Sequence, residues 1–428
     1  MSISLPTSGS GRALTLSTLA FAANFSVWIL YAVLGLELEE KLSLSVTQLG
    51  IFFAAPMLTG ALFRIPAGIL ADRYNPKHLY TAQMLLVAPA LFLLPFISSY
   101  NAYLLLGLWI GISGTSFTLG IRYVNDWFER NQQGTAMGVF GAGNAGAAIT
   151  LVLAPVIVSY WGWNSIGPIY GSGLILMALL FALLAPSQNN KHTANKQPAL
   201  ETHWDNRPVF MRLQVWRFGL YYYFVFGSFL ALIMWLPQYY TNVYDLSPQR
   251  AMAFTLFFVA TSSMVRALGG WFADRYGGRA VNWMVFWICL GCLFFLSYPS
   301  TTMTIHGAQH DVNLHIEVNL WVFSLLIFVI GIAQGFGRAS VYKTIHDYYP
   351  EQMGTVGGFV AAIGALGGAT LPIIFGLAVD NTGFYSVCFM ILYGLQAGCM
   401  IAMYFAQKAD RFRTRLNHAQ THNFLDDD

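Results

Sequence analysis

Charge is what this chain has least of. Only 10% of its 428 residues are Asp, Glu, Lys or Arg, against about 25% in a soluble globular protein. The 22 basic and 19 acidic residues nearly cancel, leaving +3. The basic residues are dispersed, which excludes the clustered footprint of a nucleic-acid binder. Cysteine is scarce too: Cys289, Cys292, Cys388 and Cys399 all lie in apolar segments. Cys289-Leu-Gly-Cys292 has metal-like spacing, but no second pair or nearby His completes a metal set, so all four read as small apolar packing residues. No nucleophile stands beside a base and no glycine loop is built to cradle phosphate. The chain is therefore read as a non-enzyme, with no cofactor and no metal.

Apolar surface is abundant. The chain is 56% hydrophobic and 16% aromatic, with mean hydropathy +0.54. Segments of about 20 apolar residues span a bilayer of about 30 Å as helices. Twelve are expected, over 14–36, 48–71, 79–98, 102–124, 135–159, 164–185, 216–239, 251–273, 280–298, 317–341, 354–378 and 384–406. A large soluble helical protein would need polar faces that these segments lack. The first begins too late, and lacks a small-residue cleavage site, for a removable signal peptide. Lys and Arg gather in the termini and the even-numbered connections (Arg12, Arg73, Lys77, Arg130, Arg207, Arg275, Arg279, Lys408), while the odd-numbered ones offer only Lys41 and Arg250. The positive-inside rule then places both termini in the cytoplasm.

A polar, Asn-, Gln-, His- and Lys-rich stretch near the middle reads as a linker. It sets out an N-terminus over 1–13, a six-helix bundle over 14–186, a linker over 187–215, a second bundle over 216–407 and a tail over 408–428. The stretch 300–316, with His306, His310 and His315, is a His-rich tract of a kind that can bind metal. With only Asp311 and Glu317 as acidic neighbours, it reads better as a solvated extracytoplasmic loop.

Two arginines interrupt this apolar pattern in matching places. The second span contains Arg64-Ile-Pro-Ala-Gly68-Ile-Leu-Ala-Asp72-Arg73-Tyr74, and the eighth contains Arg266-Ala-Leu-Gly-Gly270-Trp-Phe-Ala-Asp274-Arg275-Tyr276. The two lie 202 residues apart, each in the second span of its half. Each arginine precedes its Asp by eight residues, about 12 Å along a helix. With Asp at the membrane edge, both guanidiniums stand near mid-membrane. A charge there is costly and marks a pathway or ligand site. No acidic residue lies at the centre of a predicted span, so the countercharge is expected from a bound anion, with carbonyls or water as partial substitutes. The planar fork of arginine suits a planar oxyanion.

Two glycine-dense runs open the fifth span of each half: Gly141-Ala-Gly143-Asn144-Ala-Gly146, and Ala362-Ile-Gly364-Ala365-Leu-Gly367-Gly368. They read either as tight helix interfaces or as backbone brought against a small ligand, with Asn144 as a neutral donor. Gly68, Asp72, Arg73, Gly270, Asp274 and Arg275 are assigned to structure and gating. Arg122 and Arg338 have no derived role; they read as partners of Asp126 and Asp347 or as anion attractors at the exit.

These motifs resemble the major facilitator superfamily, whose loop motif is echoed by Gly68–Arg73 and Gly270–Arg275. More narrowly the chain resembles the nitrate/nitrite porters, which combine an Arg in the second and eighth helices with Gly- and Asn-rich signatures in the fifth and eleventh. The resemblance covers residues 15 to 405 and implies two pseudo-symmetric six-helix halves with substrate between them. It further implies that Arg64 and Arg266 clamp nitrate, that Asn144 and Tyr222 add hydrogen bonds, and that Phe25, Phe117 and Phe226 sandwich the planar ion. Gly143, Gly146, Gly364 and Gly367 fall in the family's signature positions. Departures are Asn75-Pro76 in the first loop motif and Ala365 where the first signature has Asn144. The resemblance implies an alternating-access carrier for nitrate, with nitrite as a second substrate, acting as a monomer in a bacterial cytoplasmic (inner) membrane. Shorter members resemble proton-coupled importers. Nitrate/nitrite exchange, a carrier for an organic phosphate or carboxylate, and a receptor on a transporter fold are the rival readings. The last would need an output domain that the short loops leave no room for.

Overall fold

The computed structural model describes residues 9–128, 133–187, 211–306, 311–349 and 353–423. Most of the expected linker over 187–215, the first eight residues and the last five lie outside them. In a bilayer every backbone polar group needs an internal partner, so an apolar chain crosses as helices. Twelve helices are long and apolar enough to do so: α1 Ser10–Lys41, α2 Val46–Ala71, α3 Pro76–Phe96, α4 Tyr100–Asn125, α5 Ala136–Trp161, α6 Trp163–Leu184, α7 Leu213–Tyr244, α8 Pro248–Tyr276, α9 Gly278–Leu296, α10 Leu320–Tyr348, α11 Thr355–Thr382 and α12 Val387–Ala409. The even number returns the chain to the face where it began, here termed the terminal face; the opposite one is the distal face.

Local chemistry sets the helix ends. Ser45 and Gln48 form a reciprocal capping box at the start of α2, which satisfies two orphan amides. Asn75 caps α3, with Pro76 in the first turn, where its missing N–H costs nothing. Several helices run past the expected hydrocarbon limits. The first was expected over 14–36 and extends to Lys41, because Glu37 to Lys41 continue the helix beyond the apolar stretch.

The stretch 300–316 corrects one expectation. It is an exposed antiparallel hairpin, β1 Thr301–His306 paired with β2 Asp311–Ile316. Alternating Thr, Ile and Val suit a pleated strand, a signal that the polar composition outweighs in the sequence. His306 lies 3.0 Å from Asp311 and His315 lies 3.2 Å from Glu317. Each thus faces its own carboxylate, and His310 lies outside the described residues.

The two halves are joined mainly at the distal end. Asp380 of α11 accepts hydrogen bonds from the α2 amides of Val46 and Thr47, at 3.2 and 2.8 Å, and from the Thr47 hydroxyl. A carboxylate of one half therefore caps a helix N-terminus of the other, where the helix dipole favours negative charge. Glycine lets the backbones meet beside it. A Cβ on Gly50 would lie 2.2 Å from the Pro372 carbonyl oxygen, and one on Gly376 2.4 Å from that of Val46. Glu39 accepts from Asn242 at 3.4 Å across the same interface.

Removing the Asp380 carboxylate is expected to loosen this end specifically, since losing a cap costs about 1 kcal/mol. In a cysteine-free background, Asp380→Ala should speed labelling of Gln238→Cys, which is buried on distal α7, by a membrane-impermeant maleimide several-fold. An unchanged rate would show that the cap does not hold the distal end closed.

Candidate functional site

The helices around the centre are irregular where they pass Arg64. The first span breaks at Ile29, between Ser10–Trp28 and Leu30–Lys41, and the second at Phe63, between Val46–Leu62 and Arg64–Arg73. The fourth tightens to a 3-10 turn over Gly111–Thr115, the fifth over Ala142–Ala145, and the seventh widens to a π turn over Tyr223–Gly227. Such departures cluster at functional sites and release carbonyls from the helix ladder.

Arg64 uses one carbonyl from such a turn and one from the regular helix α11. Its Nε donates to the Gly114 carbonyl at 3.2 Å and its Nη1 to the Ala361 carbonyl at 3.1 Å, one from each half. Its guanidinium carbon lies 5.3 Å from the Trp28 ring centre, 5.4 Å from Phe117 and 5.7 Å from Phe226, all within cation–π range. The side chain is 3% exposed. Among the described residues no carboxylate pairs with Arg64, Arg266 or Arg338. Carbonyl dipoles and ring faces carry the electrostatic burden of the buried charge.

Small residues make the room. Trp28 donates to the Pro56 carbonyl at 2.8 Å, and its ring fits because Gly60 and Gly114 have no Cβ; either would stand 2.7 Å from the indole. In the second half a Cβ on Gly364 would lie 2.4 Å from Tyr222, and Gly367 meets the Gly227 backbone. Gly143 seats Phe21 and Gly146 abuts the Ala22 carbonyl, where a Cβ would lie 2.5 and 2.0 Å away. These four glycines thus serve tight packing. The glycine that faces the second arginine is Gly141, whose Cβ would lie 3.2 Å from the Arg266 guanidinium carbon. Gly68 has an ordinary contact with Thr118, and Gly270 meets nothing within 4 Å.

Most of the expected site residues come together. Tyr222 stacks on Phe226 with ring centres 5.1 Å apart and meets Tyr342 edge-on, also at 5.1 Å. Tyr342 lies within electrostatic range of both Arg64 and Arg266. Arg266 is half-buried and, among the described residues, makes no hydrogen bond or ion pair. Asn144 is fully buried, and its Nδ2 finds no hydrogen-bond partner among them. Phe117 and Phe226 flank Arg64. Phe25 lies behind, 5.6 Å from Trp28.

The motif expected to gate is only partly visible, because the Asp72 side chain lies outside the described atoms. Arg73 is exposed. Asp274 meets Lys343 at 3.3 Å, and Lys343 meets Asp347 at 3.3 Å, which ties α8 to α10. Arg275 lies over Trp271 and Tyr276. Arg122 pairs with Asp126. Arg338 does not pair with Asp347: it lies nine residues earlier on α10, about 13 Å away along the helix, and Asp347 is taken by Lys343. Trp28 and Tyr342 escaped the sequence reading. Trp28 stands three residues after Phe25 on one helix face, which was the available signal.

The comparisons with known proteins now bear on this arrangement. The chain matches the Major Facilitator Superfamily over residues 16–309 and 312–423. The chain belongs to that superfamily. It is 37% identical to a probable nitrate/nitrite antiporter, NarK1, of Thermus thermophilus, across 90% of this chain and 89% of the relative. It is 28% identical to the nitrite extrusion protein of Bacillus subtilis, across 94% and 95%, and 26% identical to a probable nitrate transporter, NarT, of Staphylococcus carnosus, across 94% and 97%. A bacterial homologue of the human lysosomal transporter Spinster, in an inward-facing, occupied conformation, superposes with TM-score 0.70 at 16% identity, covering 94% of this chain and 97% of that one. Within the superfamily the chain is a member of the nitrate/nitrite porter group. As a superfamily member it is a multi-pass protein of the bacterial inner membrane and a transporter, not an enzyme.

The packing account is testable at two glycines of one helix. Gly364→Ala should destabilise this superfamily member by about 1–3 kcal/mol through overpacking on Tyr222. Gly358→Ala, where nothing lies within 4 Å, should leave stability unchanged or raise it by up to about 1 kcal/mol, since Ala is the better helix former. Thermal unfolding in detergent compares the two; equal losses would refute the account.

Proposed function

We propose that the protein is an alternating-access carrier of nitrate, with nitrite as a second substrate, and that it imports nitrate together with protons. One observation carries the reading. A fully buried guanidinium spans the interface between the halves, held by one carbonyl from each and by three rings, with no carboxylate among the described residues. Such a group is suited to a small planar oxyanion, which would supply the missing charge and accept a two-pronged hydrogen bond. Arg266 and Asn144 offer donors that are not otherwise engaged, Tyr222 adds a hydroxyl, and Phe25, Phe117 and Phe226 supply ring faces. The names of the relatives above support the choice of anion.

The Arg64–Ala361 bond suggests how binding and movement are linked. An anion arriving at Arg64 competes with the Ala361 carbonyl, so substrate binding exchanges a contact between halves for a contact with cargo. On this reading Gly68, Asp72, Arg73, Gly270, Asp274 and Arg275 steady the terminal ends of the moving helices. The positive-inside distribution puts the terminal face in the cytoplasm, and the carrier works as a monomer.

Proton coupling answers an energetic demand. Importing an anion alone runs against an inside-negative potential at about 2.3 kcal/mol per charge per 100 mV. Exchange of nitrate for nitrite is the second reading. It is favoured by the guanidiniums that stay uncompensated when the site is empty, which disfavours return of the unloaded carrier.

Uptake of nitrate into proteoliposomes separates these readings. An imposed proton gradient should drive it; uptake that requires internal nitrite would establish exchange instead, and no movement in either case would reject nitrate as cargo. Arg64→Lys keeps the charge but loses the planar fork. Losing a charge-assisted hydrogen bond costs about 1.5–3 kcal/mol, so transport should fall by about 10- to 100-fold. Full activity in that variant would contradict the two-pronged contact.

A further inference from the structure

Anion transport as proposed leaves Arg338 without a task. This side chain of α10 is wholly buried. Its Nη2 donates to the Ser262 carbonyl and hydroxyl at 2.6 and 2.7 Å, its Nε to the Gln334 carbonyl at 3.4 Å, and its guanidinium carbon sits 4.0 Å from the Phe229 ring centre. The remaining nitrogen, Nη1, is buried with no acceptor among the described residues. A charged donor buried without an acceptor is rare and calls for an explanation. The neutral acceptor one turn earlier, Gln334 Oε1, is likewise unpartnered. The two have not paired, and an amide would leave the charge uncompensated.

The surroundings deepen the imbalance. Arg266 lies close enough for its charge to act on Arg338, and like charges repel. Ser262, which holds Arg338, precedes Arg266 by four residues on α8, one turn or about 6 Å towards the distal face. The unengaged donors of this region converge on α8. Arg266 faces Gly141, and Asn144, with its orphaned Nδ2, lies in the next turn of the same α5 segment. Two guanidiniums and one amide thus offer donors on adjoining turns of α8, α10 and α5, with no carboxylate among the described residues to answer them.

We propose that Arg266 and Arg338 hold a second anion position, beside the one at Arg64 and Arg266, which takes a small monovalent oxyanion of the nitrate and nitrite class. It rests on the anion-carrier reading and adds a count: two anions, not one. Two monovalent anions leave three guanidiniums with one net charge, whereas a single anion leaves two. Arg266 is shared, so an ion at the second position adjoins the central one.

Equilibrium dialysis of isotopically labelled nitrate against the purified full chain in detergent tests the count. Wild type should bind two nitrates per chain and Arg338→Gln one. Arg338→Lys, which keeps charge without the fork, should bind the second at least about tenfold more weakly. One nitrate in wild type overturns the proposal whether or not the variants fold, and so does a folded Arg338→Gln that still binds two. A wild type that binds no nitrate defeats the carrier reading itself and this proposal with it, an outcome distinct from the count of one.

Discussion

A buried guanidinium with no carboxylate partner among the described residues organises the centre of this molecule. Arg64 cannot be left bare there, because burying an unpaired charge is among the most expensive arrangements a protein can make. It is answered by two carbonyls and three rings, and the architecture around it follows from delivering those groups. The Gly114 carbonyl comes from a 3-10 turn rather than a regular helix. The Trp28 ring fits only between Gly60 and Gly114. Weak partners from both halves are used where one strong partner would have fixed the arginine permanently to one of them.

The two halves share a plan and differ where the chemistry is. Phe21 and Phe25 of α1 stand at the same spacing as Tyr222 and Phe226 of α7, and Gly143 and Gly146 of α5 at the same spacing as Gly364 and Gly367 of α11. In both halves the first glycine receives the first ring. The N-half puts a phenyl ring there and the C-half a phenol. The N-half has Asn144 where the C-half has Ala365. Pseudo-symmetry thus supplies the scaffold, and its breaking distributes the hydrogen-bonding groups.

Much of this was legible in the chain. Twelve spans follow from hydropathy alone, since the bilayer leaves a helix as the only solution for each, and the paired arginines declare themselves as charges in apolar runs. The absence of a mid-span acid carried over to guanidiniums that, among the described residues, have no carboxylate partner. What escaped depends on relations between helices. Trp28 and Tyr342 are two among many aromatics, and only packing selects them. Arg338 could have been separated from Asp347 by distance along the helix, but Phe229 and Ser262 come from other spans and no one-dimensional pattern joins them. The glycine signatures were ambiguous in the sequence because close helix packing and close ligand approach both require a missing side chain; the geometry assigns four of them to packing and Gly141 to the arginine.

Asp380 touches no group near Arg64, yet it holds the first turn of a helix in the opposite half. In the alternating-access cycle proposed above, opening the distal end breaks this cap, so its strength sets how long the distally closed conformer persists. Residues at this cap would therefore change turnover number while leaving selectivity alone. On the proposed reading, speed and choice of cargo are written in separate parts of the molecule, and evolution can adjust either without disturbing the other.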